Sequence, residues 1–213
     1  VAAITGAGQG RTSRTYDLPL TSSPPDTRPA AVRSTVMRKI QYYDVFSFVY
    51  DWSESTYRQQ RIDAVELLQL HAGQTVLDVP CGTGANFPML AAGVEVSGQI
   101  VGCDYSPGML ARARARVTKQ RWDNVRLIET DARLVTLERL GTPTIDAVIC
   151  MLGFSVIPDW ELVFERTYDL LKPGGRYVAM DLFLEGKRTS RVSDGYYRLL
   201  ASAHLTRRFW APL

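Results

Sequence analysis

The sequence predicts an α/β protein: an open, mostly parallel sheet with helices on both faces. Three observations carry this expectation. Short apolar runs such as AVICML alternate with helical patterns, as in strands buried on both sides. The stretch Thr75 to Asn86, TVLDVPCGTGAN, reads as a strand entering a glycine-punctuated turn and then a helix. Acidic residues Asp78, Asp104 and Asp131 fall at the C-terminal ends of successive strands, the side on which open α/β sheets bind ligands.

Taken in order, residues 1–34 are rich in Gly, Ser, Thr, Pro and Arg without periodicity and are expected to form a disordered arm. Residues 35–72 begin with the aromatic run YYDVFSFVYDW and continue as a helix with Ile62, Val65, Leu67 and Leu68 on its apolar face, ended near Gly73. Residues 73–184 form the alternating core. Strands are predicted at 75–79, 99–103, 125–129, 145–151 and 175–182, and helices near 86–92, 107–119, 134–140 and 160–171. Ser106-Pro107 opens the second of these helices, serine as cap and proline as first helical residue. Lys172-Pro173-Gly174-Gly175 is a stop before the last strand. Residues 185–213 are polar, then helical, then basic at Arg207-Arg208.

Composition narrows the functional classes. With 213 residues, 46% hydrophobic, the chain suits one sizeable core. A net charge of +3 and a pI near 8.8 permit an anionic surface or acidic substrate without demanding nucleic acid, and no nucleic-acid partner is expected. Cys81, Cys103 and Cys150 are odd in number and sit at buried strand ends, which favours free thiols and a reducing, cytoplasmic setting. The two histidines, His71 and His204, have no cysteine cluster beside them, so no protein-built metal site is expected. No apolar run reaches the roughly 18 residues of a membrane span, and the first residues lack signal-peptide order.

The strand-end acids suit a nucleoside. Asp104 is placed to accept both ribose hydroxyls, Asp131 an adenine amino group, and Asp78 an ammonium group through water or neighbouring backbone. Gly82 and Gly84 let backbone approach the ligand. A dinucleotide cofactor fits less well: its G-x-G-x-x-G has Phe87 at the third glycine, and Asp78 would face a pyrophosphate unfavourably. A zwitterionic, phosphate-free nucleoside suits the crevice better.

LDVPCGTG, VGCDYSPGMLARARAR, NVRLIETDA, IDAVICMLGFSVIPD and LLKPGGRYVAMDLF, in this order, resemble the class I S-adenosylmethionine-dependent methyltransferases over roughly residues 40–184. The resemblance implies their Rossmann-like fold, S-adenosylmethionine as cofactor and S-adenosylhomocysteine as product. It implies Asp78, Gly82 and Gly84 around the methionine moiety and Asp104 on the ribose. Tyr105 and Met109 would flank the adenine, Asp131 and Ala132 would bind its edge, and Cys150 to Gly153 would floor the site near the donor sulfur. The chain departs from the family's D-x-G-x-G-x-G at Pro80, which is tolerable only where no backbone N–H is required. The strand pair that usually ends such a sheet is not found before Leu213, so that edge is expected to be lacking.

For the acceptor, YYDVFSFVYDW and GFSVIPDWELVFERTYDLLKPGG resemble bacterial phospholipid N-methyltransferases and betaine-lipid headgroup methylases, with quinone C-methyltransferases more distant. That resemblance implies an amine acceptor on a lipid headgroup, phosphatidylethanolamine or a betaine-lipid precursor. Tyr43 and Tyr50 would be the catalytic lid residues, and Ser155, Pro158 and Asp159 would flank the acceptor mouth. Arg38, Lys39 and Arg58 would meet lipid phosphates at the inner membrane surface, and Arg207, Arg208 and Trp210 would border the headgroup. The alternatives are a methyltransferase for a small soluble metabolite and a noncatalytic nucleoside-binding scaffold.

Overall fold

A computed structural model describes residues 6–7 and 57–181. In chain order the elements are β1 (Gly6–Ala7), α1 (Arg58–Leu68), β2 (Thr75–Asp78), α2 (Phe87–Val94), β3 (Gln99–Asp104), α3 (Pro107–Gln120), β4 (Val125–Glu129), a 3-10 turn (Ala132–Leu134), α4 (Leu137–Leu140), β5 (Ile145–Met151), α5 (Trp160–Asp169) and β6 (Leu171–Met180). They form one sheet in the order β1-β6-β5-β2-β3-β4. Strands β2 to β6 run parallel, and β1 lies antiparallel on β6. The chain leaves β2 toward β3 and β4, then returns to build β5 and β6 on the other side. This reversal opens a crevice beyond the C-terminal ends of β2 and β5.

Alternation along each strand sorts the apolar side chains into two layers. Val76, Ile100, Ala147, Ile149, Met151, Val178 and Met180 face one side, with Ala64, Val65 and Leu68 of α1, Phe87 and Leu90 of α2, and Leu110 and Ala113 of α3. Leu77, Val101, Val148, Cys150, Tyr177 and Ala179 face the other, with Leu140, Phe154 and Trp160 over them. Every residue of β5 is buried, which is why IDAVICM carries no polar alternation.

Most boundaries follow local chemistry. Ser106 caps α3 by accepting the Met109 N–H at 3.1 Å, with Pro107 in the first turn. The helix expected at 134–140 is two shorter pieces. Asp131 caps the 3-10 turn, and Thr136 caps α4 by accepting the Arg139 N–H. Helix α1 ends earlier than Gly73, with Gln69 at φ 47°, and Gly73 at φ 83° turns the chain into β2. The Lys172 to Gly175 stop lies inside β6 as a bulged excursion. Ile145 pairs with Leu171 and Ala147 with Arg176, so the strand starts before the expected Gly175. Gly6–Ala7, within the arm expected to lack order, pairs with Arg176 and Tyr177, so the outer edge of β6, expected to lack strands, carries a two-residue one.

At the end of the sheet opposite the crevice, Asp146 is 9% exposed. Its carboxylate accepts the Thr75 N–H at 2.7 Å and pairs with the Lys172 ammonium, tying the starts of β2, β5 and β6 together. Asp146→Ala strands the Thr75 donor and should cost about 2 kcal/mol of stability. Urea unfolding should show a lower midpoint at unchanged slope, with partial recovery in Asp146→Asn and no change in ligand affinity.

Candidate functional site

The loop after β2 is built from backbone hydrogen bonds that avoid Pro80. Val79 donates to Ile149 O at 3.0 Å, Cys81 to Cys103 O at 2.8 Å, and Gly82 to the Asp104 carboxylate at 2.8 Å. The position that proline deprives of an N–H is one that its neighbours leave unused, so the family's glycine is dispensable here. The Val79–Pro80 bond is cis. The pyrrolidine ring instead packs on Gly153, in the loop after β5, where an added Cβ would lie 2.4 Å from Pro80 Cδ.

Gly82 and Gly84 have φ of 55° and 77°, the left-handed region that side chains resist. A Cβ on Gly82 would meet only open space, whereas one on Gly84 would strike the Phe87 ring at 2.5 Å. That ring is fully buried and also covers Gly102, where a Cβ would lie 2.7 Å from Phe87 Cζ. Phe87, standing where a dinucleotide fingerprint has its third glycine, is thus a packing residue that closes the turn against β3.

Two carboxylates dominate the crevice. Asp104, at the end of β3, accepts the N–H groups of Gly82 and of Ser106, the latter at 2.9 Å. These contacts hold its carboxylate at the turn's edge. Asp78, at the end of β2, has no exposed surface. Both its oxygens accept from the Asn86 amide at 3.1 Å, and the Asn86 carbonyl oxygen accepts from Arg61 at 2.7 Å. Burial pushes Asp78 up to about 7. Asn86 and the Arg61 charge pull the other way, and Asp104 adds to the rise.

Along the expected adenine side, Tyr105 is 46% exposed, Met109 is buried in the first turn of α3, and Ala132 is half-buried in the 3-10 turn. Asp131 binds Arg133 tightly, with the guanidinium at 2.6 Å, and Arg133 also reaches Asp159 at 2.6 Å. The cation therefore bridges the loop after β4 to the start of α5. At the β5 side, Asp181 is buried and accepts the Ser155 N–H at 2.7 Å, holding the Gly153–Ile157 turn against β6. Cys150 is buried in the layer with Phe154 and Trp160. Burial pushes Cys103 up to about 12 and Cys81 and Cys150 well above the ordinary thiol range, so none offers a thiolate at neutral pH.

The structure thus brings Asp78, Gly82, Gly84, Asp104 and Tyr105 around one crevice. Tyr43 and Tyr50, Arg38 and Lys39, and the segment with Arg207, Arg208 and Trp210 lie outside the described residues. Arg58 opens α1 at the surface. Sequence reasoning missed Arg61, Asn86, Arg133 and Asp181. Asp181 had a readable signal, since it ends a strand as Asp78 and Asp104 do. The other three are defined by partners across elements. Among the described residues no group of three or more His, Cys, Asp and Glu is placed to hold a metal, and no helix is long and apolar enough to cross a membrane.

Comparison with known proteins bears on the fold that carries this site. Residues 76–175 match a family described as a methyltransferase domain. A demethylmenaquinone methyltransferase of Oceanobacillus iheyensis is 30% identical over 125 residues, 59% of this chain and 51% of its own. The Listeria monocytogenes enzyme of the same name is 33% identical over 123 residues, 57% of this chain and 50% of its own. The chain spans about half the length of these curated relatives. Among solved structures, phosphoethanolamine N-methyltransferase 2 of Haemonchus contortus, with phosphomonomethylethanolamine and S-adenosylhomocysteine, superposes with a TM-score of 0.63. It is 24% identical and matched over 81% of this chain and 40% of that one. The chain has the class I S-adenosylmethionine-dependent methyltransferase fold.

A carboxyl whose folded pKa stands near 7, against 3.8 when unfolded, binds its proton more tightly in the native state. Stability from this group is therefore complete below about pH 4 and lost as pH rises toward 7, on the order of 4 kcal/mol before relaxation. Asp78→Asn should melt higher than the parent at pH 8 and the same at pH 4. Calorimetric melting at the two values checks the sign.

Proposed function

We propose that this chain transfers the methyl group of S-adenosylmethionine to a small quinone-type ring acceptor, leaving S-adenosylhomocysteine. The observation that carries the reading is the crevice itself. A glycine turn with open space at Gly82 lies between the carboxylates of Asp78 and Asp104, in a domain whose curated relatives named above are demethylmenaquinone methyltransferases. The acceptor class comes from those relatives. It replaces the lipid-headgroup amine as the first choice because quinone methylases, expected to be the more distant group, supply the 30–33% identities.

In this reading, Asp104 accepts the two ribose hydroxyls, with its own position set by Gly82 and Ser106. Asp78 faces the ammonium group of the methionine moiety, and Gly82 and Gly84 admit the backbone close to it. Tyr105 and Met109 flank the adenine, and Asp131 with Ala132 meets its edge, beside the Arg133 bridge. Gly153, kept bare by Pro80, and Cys150 floor the site near the reacting centre. When bound, S-adenosylmethionine supplies a sulfonium methyl that needs no further activation. The protein's part is to align the acceptor with the S–CH3 axis and exclude water. No covalent enzyme intermediate is required, consistent with three thiols held protonated.

The lipid-amine reading rests on the aromatic and basic segment from Arg38 to Trp52, with Tyr43 and Tyr50 as lid residues that orient an amine. It implies contact with an anionic membrane surface and is decided by the same experiment. The chain is incubated with methyl-labelled S-adenosylmethionine and either reduced demethylmenaquinone or phosphatidylethanolamine vesicles. Label in the quinone product supports the proposal, and label in the phospholipid moves the acceptor to the headgroup amine. Donor binding without label in either indicates a different soluble acceptor or a scaffold.

Asp104→Ala should weaken S-adenosylmethionine binding by about 10- to 100-fold, since two charge-assisted hydrogen bonds are lost. Titration calorimetry measures this, and an unchanged affinity would remove Asp104 from the crevice assignment.

A further inference from the structure

We infer that Arg61 is a positioning residue of the donor site: from the first turn of α1 it fixes the Asn86 amide so that its NH2 group holds both oxygens of Asp78, the carboxylate assigned to the ligand's ammonium group. The inference rests on the proposed donor reading and adds a residue that lies outside the methyltransferase-domain match.

The placement of Arg61 is unusual for its helix. Ala64, Val65 and Leu68 are the buried stripe of α1, in one apolar cluster with Val76, Met151 and Met180. Arg61 precedes them by three, four and seven residues, so it continues the same stripe. A cation on a core-facing stripe, half-buried, needs acceptors that repay its lost hydration. Here its guanidinium turns to the loop after β2 and donates to Asn86 Oδ1 at 2.7 Å, across 25 residues of sequence.

The chemistry of the chain Arg61–Asn86–Asp78 allows one orientation of the amide. A guanidinium only donates, so the carbonyl end of Asn86 must face Arg61. The NH2 end is then directed at Asp78, where it bridges both oxygens at 3.1 Å. A flipped amide would set oxygen against carboxylate and NH2 against guanidinium. Arg61 thus makes Asn86 a donor to Asp78 and adds its own attractive charge to the same carboxylate. Both effects favour the ionised form against burial. Among the described residues, the other titratable groups facing Asp78 are Asp104 from β3 and the thiols of Cys81, Cys103 and Cys150. None of these supplies a positive charge.

The test is titration calorimetry of the full chain with S-adenosylmethionine from pH 5.5 to 9. The parent should gain affinity as pH rises through about 7, as Asp78 ionises. The ligand's own amino group sets the upper limb and is common to all variants. Arg61→Met, similar in length but uncharged, should bind about tenfold more weakly at pH 7 and move the lower midpoint to higher pH. Arg61→Lys should restore most of both. Arg61→Gln, a donor without charge, should fall between and substitutes for the methionine variant if that one does not fold. Arg61→Met and Asn86→Ala should be non-additive, because one acts through the other. A purely structural role would lower the melting temperature and leave the pH midpoint alone. An unmoved midpoint in Arg61→Met or Arg61→Gln, or additive losses with Asn86→Ala, overturns the inference. A parent that does not bind S-adenosylmethionine overturns the donor reading instead.

Discussion

The described sheet is arranged around a carboxylate buried where the strand order reverses. Asp78 ends the central strand β2, with β3 on one side and β5 on the other. Full burial of such a group is costly, and burial is the largest influence on its proton affinity. The fold meets that cost locally with one amide and, behind it, one guanidinium. It leaves the group close to balance between its charged and neutral forms. A carboxylate in that condition responds strongly to any cation brought beside it, which is a suitable property for the anchor of a zwitterionic ligand. The remainder of the sheet, including the Asp146–Lys172 tie at its far end, keeps β2 and β5 in register so that this point does not drift.

The fold was legible because its signals are local or periodic. Ser106-Pro107 is a cap readable from two letters, and the continuous apolar run at β5 suits a central parallel strand, covered on both faces, better than any half-exposed element. Legibility failed where pairing decides the outcome. Lys172 to Gly175 has the composition of a stop, yet Leu171 already pairs with Ile145, so the punctuation becomes an excursion within β6. Gly6–Ala7 has no strand propensity of its own and is defined only by the free edge at Arg176 and Tyr177. The segment at 134–140 has helical composition, but Asp131 and Thr136 each cap a separate short turn.

The site divides along the same line. Asp78, Gly82, Gly84 and Asp104 could be read because strand ends and glycine turns mark themselves. Arg61 could not, since its contact with Asn86 depends on the rotational phase of α1 against a loop 25 residues away, and an arginine on a helix is ordinarily a solvated one. Arg133 likewise gains meaning only through Asp131 and Asp159, which reach it from two loops. Asp131 shows the limit of assigning a single job to a strand-end acid. Its carboxylate serves as cap of the 3-10 turn and as ion-pair partner of Arg133, two structural roles that the strand-end position alone does not announce.

Pro80 shows how a departure from a family pattern is absorbed. A glycine at that position would leave a gap between the loop after β2 and the loop after β5. The pyrrolidine ring fills it and meets Gly153 so closely that any side chain there would collide. The substitution therefore moves the need for a bare backbone from one wall of the crevice to the other. The hydrogen bonds that shape the turn, from Val79, Cys81 and Gly82, flank the proline and are untouched by it. What looks in the sequence like damage to the donor motif is in three dimensions a packed contact between two walls. It holds the start of the loop after β5, at Gly153, against the loop that carries the glycine turn.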